Sequence, residues 1–200
     1  MSSLLETVMK QLGGSGMSGI AKHIGAGEKE TSAASGAAIT TLLAALARNS
    51  KSNQGAEALQ GALQRDHDGG LLNDLSGFLK NPEVGNGNGI LGHVLGAKQP
   101  VVERSVAKAS GLDSGQAGKL MATLAPILMG ALGKQQRQQG LNASSLSNLL
   151  GGEQKEIERK QPGSGGILNS LLDSDGDGDV DIADLAKHGK GLLGRFLGGR

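Results

Sequence analysis

The sequence predicts an all-α protein: a helical module of about 85 residues present twice, followed by a small C-terminal module. Three observations predict it. Apolar residues recur at three- and four-residue steps along most of the chain, and the alternation that marks strands is absent. Glycines, 35 of the 200 residues, fall largely at the joints between these runs, where a helix stop or a close helix contact favours a residue without a side chain. Sliding the chain by about 85 residues places Leu5, Val8 and Met9 near Ile90, Val94 and Leu95, and Ile39, Leu42 and Leu43 on Leu124, Ile127 and Leu128. The polar run Glu28-Lys29-Glu30-Thr31 falls on Asp113-Ser114-Gly115-Gln116, where Asp113 or Ser114 suits a helix N-cap.

The first repeat is assigned to residues 1–84, with helices expected near 3–12, 16–24, 28–49, 55–64 and 70–80. Leu59 and Leu63, then Leu71, Leu72, Leu75, Phe78 and Leu79, carry the helical spacing of the last two. Asn81-Pro82 stops that helix, and Gly85-Asn86-Gly87-Asn88-Gly89 reads as a flexible joint. The second repeat, 85–150, forms one compact domain with the first. Its helices are expected near 90–96, 99–110, 113–134 and 143–150. Pro126 lies inside the longest apolar stretch, Leu120 to Leu132, and is expected to kink or break it. Residues 151–166 are charged and then Pro/Gly/Ser-rich, and read as a linker. The remainder, 167–200, is the C-terminal module.

Composition narrows the function classes. Aromatic residues amount to 1%, Phe78 and Phe196 alone, so the core must be built from Leu, Ile, Val, Met and Ala and buries little area per residue. A net charge of +1, with no basic excess and no aromatic stacking platform, does not favour nucleic acid. The absence of Cys excludes disulfides, thiolate zinc sites and a Cys nucleophile. Met1 to Leu12 is amphipathic rather than a continuous apolar leader, and no segment has the apolar length of a transmembrane helix. A cytoplasmic location is therefore the default expectation, with export by a route that needs no signal peptide left open.

His67, between Asp66 and Asp68, reads as part of a polar turn, and His93 as a helix-surface residue. The glycines at 85, 87 and 89 do not form a phosphate loop, since no strand precedes them and no Lys-Ser/Thr follows. No serine sits in a nucleophile elbow. No enzyme is expected.

The strongest motif lies near the C-terminus. Residues Asp173-Ser174-Asp175-Gly176-Asp177-Gly178-Asp179-Val180-Asp181-Ile182-Ala183-Asp184 place Asp at positions one, three, five, seven, nine and twelve of a twelve-residue loop, with Gly at six. Calcium is a hard cation that takes six to eight oxygens. The side chains of Asp173, Asp175 and Asp177 would approach it from one side, and Gly178 permits the turn around it. Asp179 would offer its backbone carbonyl, Asp181 would act through a water, and Asp184 would close the sphere. The loop resembles the EF-hand and, because it ends in Asp rather than Glu, the dockerin type. Beyond it Ile182, Leu185, Leu192, Leu193, Phe196 and Leu197 form an apolar stripe opposite Lys187, Lys190 and Arg195. EF-hands work in pairs and this chain carries one, which points to a homodimer through the loop.

Gly89-Ile90-Leu91-Gly92-His93-Val94-Leu95-Gly96, followed by Ser110-Gly111-Leu112 and Leu124-Ala125-Pro126-Ile127-Leu128, resembles the bacterial DUF937 family, which includes the YidB-like proteins. The resemblance implies an all-helical bacterial domain of undetermined function and supplies no catalytic residues. The function expected is that of a calcium-binding structural or protein-interaction protein that forms homo-oligomers or meets a protein partner through its apolar helices. The alternative is a helix-turn-helix-like DNA-binding protein, against which Arg104, Lys108, Lys119, Lys134 and Arg137 are scattered rather than clustered.

Overall fold

In a computed structural model of the chain, residues 3–160 are described. They form nine α-helices: α1 (Leu4–Leu12), α2 (Ser15–Ile24), α3 (Glu28–Asn49), α4 (Asn53–Arg65), α5 (Leu75–Lys80), α6 (Gly87–Leu95), α7 (Gln99–Ser110), α8 (Ser114–Gln139) and α9 (Ala143–Lys160). Short 3-10 turns lie at Gly70–Asp74, Pro82–Gly85 and Gly96–Lys98. No strand occurs among the described residues. The C-terminal module and the calcium loop expected from the sequence lie outside them.

The core is built around α3 and α8, which pack against each other. In α3 every position from Ala38 to Ala47 is buried, and in α8 every position from Thr123 to Gly133. A helix that is apolar all round belongs in an interior, and the abundance of Ala allows close approach. Thr31, Ser35, Thr41 and Thr123, buried in these helices, each bond the carbonyl four residues back, so their hydroxyls cost little. Helices α1, α2, α6, α7 and α9 pack on α3, and α4 packs on α8 and α9. Among the described residues, no helix is long and apolar enough to cross a membrane.

The helix starts follow from local chemistry. Ser3 and Glu6 form a capping box at α1, and Asp113 and Gln116 form one at α8. Gln116 also donates to the carbonyl of Gly25 at 2.8 Å, tying the start of α8 to the end of α2.

Four expectations are corrected. The segment 70–80 is a 3-10 turn over Gly70–Asp74 and α-helical only from Leu75, where Asp74 accepts the N–H of Gly77 at 2.8 Å and supplies the cap that starts the helix. The linker read at 151–166 is helical through Lys160: Leu146, Leu150 and Ile157 are buried on one stripe of α9, and this packing outweighs the helix cost of Gly151 and Gly152. Pro126 does not break α8, which runs from Ser114 to Gln139 with the proline buried inside it.

The fourth concerns the glycine run 85–89. It is no flexible joint but the contact that accommodates Pro126. A proline lacks the N–H that would bond the carbonyl four residues back, here that of Ala122. Gly87 packs against that carbonyl so closely that a Cβ on it would lie 1.8 Å from the oxygen. Gly85 covers the ring itself, its Cβ position 2.8 Å from Pro126 Cγ and 2.9 Å from Phe78 Cε2. Between them Asn86 takes a left-handed conformation, φ 49°, and α6 begins.

Candidate functional site

A groove of about 860 Å³ lies between α4 and α6. Its volume is in the range of small-molecule sites, roughly 300–1,000 Å³. Buried Leu46 of α3, Leu59 of α4, Ile90 and Val94 of α6 and Met129 of α8 supply apolar lining. Small residues on α4, Gly55, Ala58, Gly61 and Ala62, keep it wide. Arg48, Glu57, Arg65, Asp66, His67 and His93 supply its charged and titratable groups.

Backbone contacts at the helix ends fix these walls. Asn49, at the last turn of α3, donates to the carbonyl of Val94 at 2.9 Å and holds the end of α6. Gly55 lies against the carbonyl of Asn49 so tightly that a Cβ would come within 1.9 Å of it. Ser147 on α9 donates to the carbonyl of Ser50 at 2.8 Å, securing the α3–α4 turn from the other side.

A second cavity of about 370 Å³ adjoins the first and shares Asp66, His67, Asn86 and Ile90 with it. The loop 66–69 lines the second cavity, its Asp66 and His67 lining the first as well, and it is held onto α8. The carbonyl of His67 presses on Gly133, where a Cβ would lie 1.8 Å away, and Gly69 turns with φ 88° against Lys134. Arg137 of α8 pairs with the Asp68 carboxylate at 3.4 Å and donates to the Asp68 backbone carbonyl. The N–H of Gly70, foremost, and then Arg137 hold the Asp68 carboxyl below its usual value.

His67 is half-buried at the junction of the cavities. Burial pushes its imidazole below the ordinary histidine value, and neighbouring Asp66 partly opposes that. The ring of His93 meets the Gly89 carbonyl through Nδ1 at 2.7 Å. A carbonyl can only accept, so Nδ1 carries the proton, and in the neutral ring Nε2 is left as an acceptor.

The structure therefore brings His67 and His93, read separately in the sequence as a polar turn and a helix surface, into one groove. Spacing along the chain could not reveal this, because the meeting depends on α4 and α6 both packing on α8. Among the described residues no group of three or more His, Asp or Glu is placed to hold a metal ion. The six expected calcium ligands, Asp173, Asp175, Asp177, Asp179, Asp181 and Asp184, lie outside those residues.

No curated protein and no solved structure matches the chain. A family model does match it over residues 6–135, from the first turn of α1 to near the end of α8, a span that contains every residue lining both cavities. That match covers well over half of the sequence, and the chain accordingly belongs to DUF937, a family described as a bacterial protein of unknown function.

Proposed function

We propose that the chain is a calcium-binding structural or protein-interaction protein that self-associates, with a binding rather than a catalytic role. The observation that carries this reading is the carboxylate spacing of Asp173 to Asp184, with Gly178 at the turn position. Six carboxylates within twelve residues repel one another in the absence of a cation, and a calcium ion answers that repulsion. The Asp at position twelve gives a shorter reach than Glu. The site thus suits a stabilising or docking element better than a high-affinity sensor.

The helical body supports the scaffold half of the proposal. Helices α6, α7, α8 and α9 begin 83, 84, 86 and 90 residues after α1, α2, α3 and α4, in the same order. Left-handed Gly25 and Gly111 close α2 and α7 with the same bond, from the glycine N–H to the carbonyl four residues back. We infer a duplicated helical module, with α5 and its flanking 3-10 turns present in the first copy. Two such copies give a rigid body from which a C-terminal calcium module can be presented.

Calorimetric titration of the full chain with calcium tests the reading, alongside light scattering in calcium and in chelator. One site is expected in the wild type and none in Asp173→Ala. Absence of binding heat at millimolar calcium would remove the calcium reading. An unchanged mass in calcium and chelator would confine the metal to ordering its own module.

A further inference from the structure

We infer that the groove between α4 and α6 is the surface on which two copies of this chain meet, with α4 of each lying antiparallel to α4 of the other. The inference deepens the self-association reading above and rests on it.

The groove is shaped for a helix. Gly55, Ala58, Gly61 and Ala62 line it from α4, and apolar side chains of α3, α6 and α8 lie beneath. Small residues on a helix face let a second helix approach to the short end of the usual interaxial range, about 8 Å. The three atoms nearest a Cβ position on Gly61 all belong to the tip of Arg65, at 3.0–3.9 Å, so the middle of α4 is covered there by the end of an exposed, flexible side chain that a partner can displace.

Charge selects the occupant. Glu57 and Arg65 are exposed on α4, and among the described residues neither side chain is hydrogen-bonded or ion-paired. They stand four residues to either side of Gly61, about 6 Å along the axis in each direction. A twofold axis beside Gly61 brings Glu57 to the height of Arg65 of the second copy, and Arg65 to the height of its Glu57. One symmetry operation satisfies both charges twice, as an isologous interface requires. A ligand of single sign would answer one of them and oppose the other. A helix of 13 residues is about 20 Å long, which sets the interface at the small, reversible end of the range.

Sedimentation of the full chain from about 1 to 100 μM, the regime of weak interfaces, tests this with wild type, Glu57→Arg, Arg65→Glu and the double reversal, each in calcium and in chelator. The expected result is a concentration-dependent wild-type dimer in both conditions. Each single reversal sets like charges opposite each other twice and should weaken the dimer at least about tenfold. The double reversal should restore it. Both positions are exposed, so far-UV circular dichroism should not change. A dimer indifferent to the single reversals would overturn this surface while leaving self-association standing. A dimer lost only in chelator would move the contact to the calcium loop, and a monomer throughout would overturn both readings.

Discussion

The carboxylate of Glu153, on α9, accepts the backbone N–H of Leu4 at 2.8 Å, joining two residues 149 positions apart. The first turn of α1 is thereby capped twice, once by its own Ser3–Glu6 box and once from α9. This contact explains why α9 continues beyond Leu150: its third and fourth turns carry Glu153 onto α1 and Ile157 into the core. Burial, the largest cause, pushes the Glu153 carboxyl above the usual glutamate value, and Glu156 and Glu6 add to the rise. The N–H groups of Leu4 and Leu5 oppose it.

A sign follows for stability. Because the folded value is raised, ionised Glu153 is a net cost near neutral pH. That cost disappears as pH falls through the raised value, and the gain is complete below the ordinary glutamate value. Glu153→Gln keeps an acceptor for Leu4 without the charge, so it should be at least as stable as wild type at pH 7, with the wild type gaining on it toward pH 4. Glu153→Ala orphans the Leu4 N–H and should cost about 1 kcal/mol. Thermal unfolding at both pH values checks this; Gln losing as much as Ala at pH 7 would refute it.

The packing of Gly87 on the Ala122 carbonyl makes a second prediction. Gly87→Ala must push α6 off α8 at its first turn, since its Cβ would lie 1.8 Å from that oxygen. A loss on the order of 2–4 kcal/mol is expected, as for other backbone-level overpacking. Gly92, on the same helix, has nothing within 4 Å of its Cβ position. Gly92→Ala should stabilise by about 0.5–1 kcal/mol through helix propensity. Denaturant melts of the two variants should move in opposite directions, and a destabilised Gly92→Ala would count against the assigned packing.

Much of the helical layout was legible because its signals are local. The bounds expected for α3 and α7, 28–49 and 99–110, coincide with Glu28–Asn49 and Gln99–Ser110, where apolar spacing and end signals agree. What was not legible depends on partners distant in the chain. The helicity of 151–160 rests on Ile157 and Glu153 meeting α1 and the core, which a Gly-Gly pair and a charged run conceal. Pro126 leaves α8 unbroken because Gly87 and Gly85 fit around it, a fact that belongs to α6 as much as to α8. The groove was invisible for the same reason: Glu57, His67 and His93 become neighbours of one cavity only after three helices have packed.

His67 supplies the third prediction. Its folded value is lowered, chiefly by burial, so the neutral ring is favoured and its contribution to stability is present above the unfolded value of about 6.5. That contribution is lost as pH falls from there through the lower folded value. Proton NMR should find the His67 ring titrating below the ordinary histidine range, and Asp66→Asn should lower it further, because Asp66 is what raises it. An upward move in Asp66→Asn would show that the aspartate does not act on the ring as a charge.

The calcium loop proposed at Asp173 to Asp184 yields the last prediction, from ligand reach alone. At position twelve a carboxylate must approach from the far side of the ion, and the Glu usual there does so with both oxygens, whereas Asp184 is one methylene shorter. Asp184→Glu should therefore raise calcium affinity, and about tenfold is the scale of a second oxygen worth some 1.4 kcal/mol. Asp173→Ala, which removes the first ligand, should abolish binding. Magnesium discriminates further: it demands near-ideal octahedral geometry and releases water reluctantly, so the Glu variant should gain for calcium and not for magnesium. Calorimetry with each cation separates these outcomes. Equal gains for both cations would mean that the added methylene acts through charge placement rather than coordination, and no gain for calcium would mean that residue 184 is not a ligand.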